Sequence, residues 1–269
     1  MSFPLEDVTQ RFSQWKPFRD ERAYVMGKKI GEGDFGETFE AFDKATGQRV
    51  VVKSLFPTYG DDDFQHELKA LWAIKTGCVD NNVACLIDEV VQGGTRYLVM
   101  EYAPGHTLQH FVAAFPTWPQ SKQNWVARQL FHAVAYVHSH GLAHGDIKPN
   151  NIMFDQQTGE LTLIDFGVAL LNKDCVCGDP ACGCDGGMYT PEFPVTAESA
   201  DVFGAALTLV EMTTGRYVGQ IKSYAKRVTS PPPVPHNQAL IDILWPALVA
   251  PQGLTAATLE GLIMGLQVS

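Results

Sequence analysis

A glycine-rich stretch at residues 31–36, with the sequence GEGDFG, constrains the fold most strongly because of the segments on either side of it. Residues 24–30 are typical of a β-strand, residues 37–42 alternate between apolar and polar side chains, and residues 44–47 (KATG) are typical of a turn. The glycine fingerprint of a dinucleotide-binding fold opens a helix directly after the glycines, whereas a strand follows here. The sequence therefore predicts a β-hairpin whose glycines let the backbone close over phosphate groups.

A lysine and a glutamate follow the hairpin at positions where they can pair. Residues 49–55 form the next predicted strand, which carries Lys53 after three valines, and residues 61–73 form the first predicted helix, which carries Glu67. A strand lysine ordinarily faces solvent, but its position shortly after a glycine hairpin favours a phosphate contact. Glu67 is the best candidate partner for this lysine, because Glu89 lies at a strand end; a solvated glutamate is the alternative.

The middle of the chain predicts a boundary between a β-rich part and a helical part. Two further strands are predicted at residues 83–91 and 95–101. The second ends within the sequence MEYAPG at residues 100–105, where proline and glycine mark a boundary. The predicted helices beyond it span residues 107–115, 124–140, 239–249 and 255–266.

Two short motifs carry the residue types that phosphoryl transfer requires. The sequence HGDIKPNN at residues 144–151 contains Asp146, Lys148 and Asn151, and the DFG sequence begins at Asp165. Phosphoryl transfer needs an acid that orients the incoming hydroxyl, an acid and an amide oxygen that hold Mg²⁺, and a cation for the transferred phosphate. Each residue alone has an ordinary explanation, such as capping a turn. Their joint occurrence with the glycine hairpin and the lysine–glutamate pair predicts a phosphotransferase.

These motifs resemble those of the protein kinase superfamily, and more specifically of a eukaryotic-like serine/threonine protein kinase with an HGD variant of the catalytic loop. The resemblance covers residues 24–216 and fades afterwards. It implies an α+β, bilobal fold. The expected parts are an N-terminal extension at 1–23, a small antiparallel β lobe with one helix at 24–101, a linker at 102–106 and a mainly helical large lobe at 107–269. Within the extension, Leu5, Val8, Phe12 and Trp15 recur at helical spacing, which predicts a short amphipathic helix.

The resemblance also implies the roles of individual residues. Asp146 would orient the substrate hydroxyl, Lys148 would contact the γ-phosphate, and Lys53 paired with Glu67 would contact the α- and β-phosphates. Asn151 and Asp165 would bind Mg²⁺. The residues expected to contact ATP are Ile30, Gly31, Glu32, Gly33, Asp34, Phe35, Gly36, Thr38, Val51, Lys53, Met100, Glu101, Ala103 and Met153.

Gly145 departs from the family pattern, because many protein kinases carry an arginine there that pairs with a phosphorylated activation loop. The glycine predicts activity that does not require phosphorylation of that loop. The sequence His-Gly-Asp also resembles small-molecule kinases of the aminoglycoside and choline type, although those usually lack the glycine hairpin and the DFG sequence. Two alternatives to a protein kinase therefore stay open, namely a small-molecule kinase and a pseudokinase that acts as a binding module.

Two later positions matter for the same family. Asp201, at the start of the expected core helix of the large lobe, would brace the backbone of the catalytic loop. Glu192 commonly pairs with an arginine late in the fold, but the matching stretch at residues 250–256 contains no arginine, which places that ion pair in doubt.

Four cysteines cluster in the segment that corresponds to the activation loop: Cys175, Cys177, Cys182 and Cys184. Two closely spaced pairs of thiolates can satisfy a tetrahedral Zn²⁺. Three interpretations stay open, namely a structural zinc site, redox-sensitive thiols or disulfides, and a free reduced loop.

The overall composition points to a soluble, cytoplasmic protein. The first 20 residues lack the apolar core of a signal peptide, and no stretch approaches the ~18 apolar residues of a membrane span. The formal charge of −10 argues against broad electrostatic binding to nucleic acid. The expected partners are ATP and a protein substrate, with the chain itself as one candidate substrate.

Overall fold

The computed structural model of the chain describes residues 24–266 apart from 33–35, 57–60, 93–94, 180, 185–186 and 235. The helix predicted within residues 1–23 and the hairpin tip with Gly33, Asp34 and Phe35 therefore lie outside the described residues. The chain divides into two compact units. The first contains the residues up to Thr76 together with Ala84–Ala103, and the second contains Gly77–Val83 and the chain from Pro104 onward.

The first unit is an antiparallel sheet with one helix. Its strands are β1 (Tyr24–Glu32), β2 (Gly36–Asp43), β3 (Arg49–Leu55), β4 (Leu86–Gln92) and β5 (Thr95–Glu101), in the order β1-β2-β3-β5-β4. The helix α1 spans Asp61–Ala73. The predicted hairpin between β1 and β2 is confirmed, with strand rather than helix following the glycines. Val50 and Val52 of β3 are buried in an apolar cluster with Ala41 and Val99.

The second unit is mainly helical. Its helices are α2 (Gln120–Ser139), α3 (Ala197–Thr214), α4 (Val218–Ala225), α5 (Gln238–Val249) and α6 (Ala256–Gly265). The central helix α3 buries nearly all of its residues and packs against α2 and α5, while α6 packs against α2. Thr196 caps the N-terminus of α3 by accepting a hydrogen bond from the N–H of Ser199. Together the two units confirm the predicted α+β class.

Short strands complete the second unit. Strands β6 (His106–Thr107), β7 (Ile152–Phe154) and β8 (Leu161–Leu163) form one sheet, and β9 (Val176–Cys177) pairs with β10 (Val195–Thr196). Gly105 precedes β6 with φ of +93°, and a Cβ added there would lie 2.1 Å from the carbonyl oxygen of Phe154. Only glycine therefore lets the chain approach β7 closely enough at this point.

The prediction of a helix over residues 107–115 is wrong. Two short 3₁₀ turns, Leu108–Phe111 and Phe115–Thr117, stand in its place. Leu108, Phe111 and Phe115 are buried, so the 3₁₀ turns bury the apolar side chains of this segment without a continuous helix. Pro116 and Pro119 follow closely, and because proline lacks an N–H it disfavours a continuous helix across this region. Helix α2 accordingly begins at Gln120, directly after a proline.

Candidate active site

In the first unit, Lys53 and Glu67 form a buried ion pair. The Nζ atom of Lys53 lies 2.8 Å from Oε1 of Glu67, and the two side chains are 9% and 2% exposed. Helix α1 positions the glutamate because Phe64, Leu68 and Leu71 bury the same side of the helix. A buried pair of opposite charges is costly unless both members are held in place, so the contact with Glu67 fixes the position of this lysine.

The predicted ATP-contacting residues of the strands share one face of the sheet. In the register of the sheet, Gly31 lies opposite Thr38, Thr38 lies opposite Lys53, and Val51 lies opposite Met100. Residues directly opposite one another, and residues two apart on one strand, point to the same side. The face that carries Lys53 therefore also carries Thr38, Val51 and Met100.

The other predicted ATP residues of the first unit lie at its margins. Ile30 is 43% exposed, and Glu32 forms an ion pair with Lys29 at the end of β1. The N–H of Glu101 donates to the carbonyl oxygen of Cys85 at 2.9 Å, so a ligand could use the carbonyl oxygen of Glu101 but not its N–H. Burial raises the pKa of the Glu101 carboxyl group. Ala103 ends this unit.

In the second unit, Asp146 is held by both of the polar residues predicted beside it. Its Oδ2 atom lies 2.6 Å from Nζ of Lys148 and accepts a 2.8 Å hydrogen bond from Nδ2 of Asn151. The same Nδ2 also donates to the backbone carbonyl oxygen of Asp146 at 2.8 Å. Both hydrogen bonds of the Asn151 amide nitrogen go to Asp146. The Oδ1 atom of Asn151 therefore remains as a hard oxygen ligand suited to Mg²⁺.

Asp165 lies beside the same loop through backbone pairing. The N–H of Ile164, its neighbour, donates to the carbonyl oxygen of Asn151 at 2.9 Å. Asp165 has φ of +67°, an uncommon conformation for a residue other than glycine. Such strained backbone is typical of functional sites. Because Ile164 is hydrogen-bonded to Asn151, the segments that carry the two predicted Mg²⁺ ligands, Asn151 and Asp165, lie side by side. Met153, the predicted floor of the adenine pocket, is half-buried in β7 of the same unit.

His144 is a positioning residue to which the sequence motifs gave no role. Its ring is fully buried, its Nδ1 atom accepts a 3.2 Å hydrogen bond from the N–H of Asp146, and its Nε2 atom lies 3.0 Å from the carbonyl oxygen of Ile164. This pattern places the proton on Nε2. The ring also packs edge-on against buried Phe166 at 4.8 Å. His144 thereby links the loop of Asp146 to the segment that carries Asp165.

Asp201 braces the catalytic loop as predicted. Its Oδ2 atom accepts a 2.6 Å hydrogen bond from the N–H of His144, and its Oδ1 atom accepts one of 2.9 Å from the N–H of Gly145. The buried ring of His138 adds a third contact, with Nε2 2.9 Å from Oδ2 of Asp201. A carboxylate with this many partners is well compensated for its burial.

Gly145 has no room for a side chain in this conformation. Its φ is +82°, and an added Cβ would lie 2.6 Å from the carbonyl oxygen of Val168. The position where related kinases carry arginine therefore accommodates glycine for two separate reasons, the left-handed backbone and the close approach of residue 168.

The four clustered cysteines form two disulfides, Cys175–Cys182 and Cys177–Cys184. This agrees with the second of the three interpretations left open by the sequence. All four residues are half-buried. The sulfur atoms of Cys175, Cys182 and Cys184 nevertheless lie within 4.8 Å of one another, as a metal site would require.

Glu192 has two lysine partners in place of the arginine that is common in the family. Lys226 forms an ion pair with it, and Nζ of Lys222 lies 3.5 Å from its carboxylate. The hydrogen bond from Lys226 lowers the pKa of the Glu192 carboxyl group. Lys222 in α4 and Lys226 directly after its last residue thus take the place of the missing arginine. Their spacing of four residues, which places them on one side of a helix, was a sequence signal for this arrangement.

These features define a protein kinase domain, and comparison with known families agrees. The family model for the protein kinase domain matches residues 24–231. The chain belongs to this family, which confirms the resemblance of its motifs. Domains of this family bind ATP with Mg²⁺ and transfer the γ-phosphate to proteins.

The matches to individual relatives cover only part of each relative's length. A maternal embryonic leucine zipper kinase from Danio rerio is 31% identical over 59% of this chain and 24% of its own length. A serine/threonine-protein kinase stk11 homolog from Dictyostelium discoideum is 30% identical over 72% of this chain and 35% of its own. The chain thus spans about a quarter to a third of these curated relatives. Within the described part of the chain, none of the helices combines the length and apolarity of a membrane span.

Proposed function

We propose that this chain is a serine/threonine protein kinase domain that transfers the γ-phosphate of ATP to hydroxyl groups of a protein. The observation that carries the proposal is the arrangement around Asp146. Lys148 and Asn151 both engage its Oδ2 atom, whereas its Oδ1 atom has no hydrogen-bond partner among the described residues. A carboxylate oriented through one oxygen can receive the proton of a substrate hydroxyl on the other.

The remaining roles follow from chemistry and family pattern. Lys53, fixed by Glu67, would neutralise charge on the α- and β-phosphates, and Lys148 would leave Asp146 to contact the γ-phosphate as it is transferred. Asn151 Oδ1 and the Asp165 carboxylate would hold Mg²⁺, which supplies charge neutralisation when it is bound. The sequence Lys148-Pro149 resembles serine/threonine kinases rather than tyrosine kinases.

The proposal includes activity without phosphorylation of the activation segment. Gly145 offers no side chain to bind a phosphate, and residues 168–194 contain only two hydroxyl side chains, Tyr189 and Thr190. The hydroxyl of Tyr189 is engaged by Glu211. Backbone hydrogen bonds already hold the segment, because Ala143 and Leu170 exchange two, at 2.9 and 2.8 Å. The start of the segment is thus held at Leu170 by backbone pairing, and Gly145 has no side chain that could act as a receptor for phosphate.

The proposed cofactors are ATP, Mg²⁺ and one structural Zn²⁺ at the cysteine cluster. Thiolates are strong zinc ligands, and four of them satisfy its tetrahedral preference. The cluster supplies four sulfur atoms from two Cys-x-Cys pairs. A reducing compartment such as the cytoplasm would keep these residues available as thiolates.

The test is an assay with labelled ATP and Mg²⁺ in which a basic generic protein substrate, an aminoglycoside and choline are each offered as acceptors, followed by mapping of the phosphorylated residues. Phosphoserine or phosphothreonine on the substrate or on the chain supports the proposal, provided that Lys53→Met abolishes it. Phosphate appearing on an aminoglycoside or choline and not on protein would establish a small-molecule kinase instead. Nucleotide binding without any turnover would establish a pseudokinase.

A further inference from the structure

The two Cys-x-Cys pairs face each other across a short loop. Cys175 and Cys177 flank Val176 on one arm, and Cys182 and Cys184 lie on the other, with Cα–Cα distances of 5.4 and 5.2 Å across the two bonded pairs. The two disulfides also contact each other, because the sulfur atoms of Cys182 and Cys184, one from each disulfide, lie 3.3 Å apart. The four sulfur atoms thus form one connected group rather than two separate cross-links.

The group rests on an apolar surface that is continuous with the catalytic loop. Ala143, Leu170 and Ala197 form a buried cluster against which all four cysteines pack. Ala143 directly precedes His144. This wall shields the sulfur atoms on one side, which favours a compact, partly desolvated site over freely exposed thiols.

The arm that carries Cys175 and Cys177 also holds the start of helix α3. The N–H of Ala197 donates to the carbonyl oxygen of Cys175 at 2.8 Å, and the N–H of Glu198 donates to that of Lys173 at 2.8 Å. Nζ of Lys173 donates to the Glu198 carboxylate at 2.7 Å. One turn further along the same helix, Asp201 holds the backbone of the catalytic loop. The cysteine group and the catalytic loop are therefore joined through the first turns of α3.

We propose that the cysteine group is a redox-exchangeable clamp, which binds one Zn²⁺ through four thiolates when reduced and forms the two observed disulfides when oxidised. Both forms cross-link the same two arms, so both keep the activation segment against α3. Only the form that is reduced and also metal-free leaves the arms unlinked. This deepens the zinc part of the proposed function and rests on it.

The exchange balances with a peroxide as the oxidant. One zinc tetrathiolate, two molecules of hydrogen peroxide and four protons give one free Zn²⁺, two disulfides and four molecules of water. Four electrons leave the four sulfur atoms and reduce the two O–O bonds. Two S–S bonds form while four Zn–S bonds break. Zinc release and thiol loss are thus locked in a ratio of one to four.

The test compares three preparations of the full chain: reduced with zinc, oxidised with peroxide, and reduced after metal chelation. Elemental analysis should find about one zinc per chain in the first and none in the other two. Peptide mapping should find Cys175–Cys182 and Cys177–Cys184 bonds only after oxidation. Protease should cut within residues 171–195 fastest in the chelated form, because that form alone lacks a cross-link.

Matched variants distinguish loss of the zinc site from a general loss of folding. Cys182→Ser should abolish stoichiometric zinc binding, whereas Val176→Thr, an exposed residue between two of the cysteines, should retain it. Asp146→Asn should also bind zinc normally, so zinc content reports on the clamp even if the kinase proposal fails. Absence of bound zinc in the reduced wild type, or equal protease sensitivity of all three preparations, would overturn the inference.

Discussion

The Oδ1 atom of Asp201 accepts a 2.9 Å hydrogen bond from the N–H of Gly145, which ties the central helix α3 to the catalytic loop one residue before Asp146. The other oxygen of the same carboxylate takes the N–H of His144 at 2.6 Å. One buried side chain thus orients two successive peptide groups of the loop. The loop's geometry depends on a residue that need not contact either ATP or protein substrate.

Replacing Asp201 with asparagine should therefore impair both stability and turnover. In Asp201→Asn, an amide N–H₂ would face a backbone N–H, so we expect a loss of about 2–4 kcal/mol in the free energy of unfolding and a fall in kcat larger than the change in KM for ATP. Denaturant unfolding and steady-state kinetics measure these effects. Asp174→Asn, which alters an exposed carboxylate of the same unit, is the control. Similar losses in both variants would show that the brace is unimportant.

Gly145 and Gly141 form a matched pair for separating backbone strain from steric conflict. Their φ angles are +82° and +78°, but an added Cβ meets a carbonyl oxygen at 2.6 Å in the first and nothing within 4 Å in the second. Gly141→Ala should cost about 1 kcal/mol from the left-handed conformation alone, and Gly145→Ala about 1–3 kcal/mol more. Thermal and denaturant unfolding of both variants measure the difference. Equal costs would contradict the close approach of residue 168.

The two lysines beside Glu192 should contribute unequally. Lys222 is 15% exposed and also donates to the carbonyl oxygens of Met188 and Thr190, at 3.3 and 3.0 Å, whereas Lys226 is 59% exposed. Lys222→Ala should lower the free energy of unfolding by about 1–2 kcal/mol, and Lys226→Ala by less than about 0.5 kcal/mol. A larger effect at Lys226, measured by denaturant unfolding, would mean that the exposed ion pair dominates.

Glu211 should make stability depend on pH. Burial raises the pKa of its carboxyl group above the ordinary value of 4.5, and this outweighs the opposing hydrogen bond from Tyr189. The folded state then binds more protons than the unfolded state between pH 4.5 and the raised pKa, so this carboxyl makes stability fall as pH rises through that window. Glu211→Gln should remove that component. Melting temperatures of both proteins across the window measure it, and parallel pH profiles would count against this assignment.

Local patterns predicted the elements that depend on local chemistry. The helix that carries Glu67 and the strand that carries Lys53 have the predicted bounds, because apolar periodicity decides both. The same periodicity failed over residues 107–115, since buried 3₁₀ turns can produce the same spacing.

Contacts between distant parts of the chain were harder to predict. Lys226 follows its partner Glu192 by 34 residues, and the packing of α4 and the residue after it places Lys226 and Lys222 where an arginine is common in the family. The role of His144 depends likewise on the fold, because its acceptor on Ile164 lies 20 residues away. The choice between zinc and disulfides at the cysteine group depends on redox state, which the order of residues does not contain.

The most direct test of the account is the initial rate of phosphoryl transfer to protein by chain that intact mass spectrometry shows to be unphosphorylated, beside Asp146→Asn. We predict transfer to serine or threonine without a lag, unchanged in Thr190→Val, and a loss of about 10²-fold or more in Asp146→Asn. Comparable transfer by Asp146→Asn would contradict the proposed mechanism. A lag that ends only when the activation segment becomes phosphorylated would contradict the proposed independence from that modification.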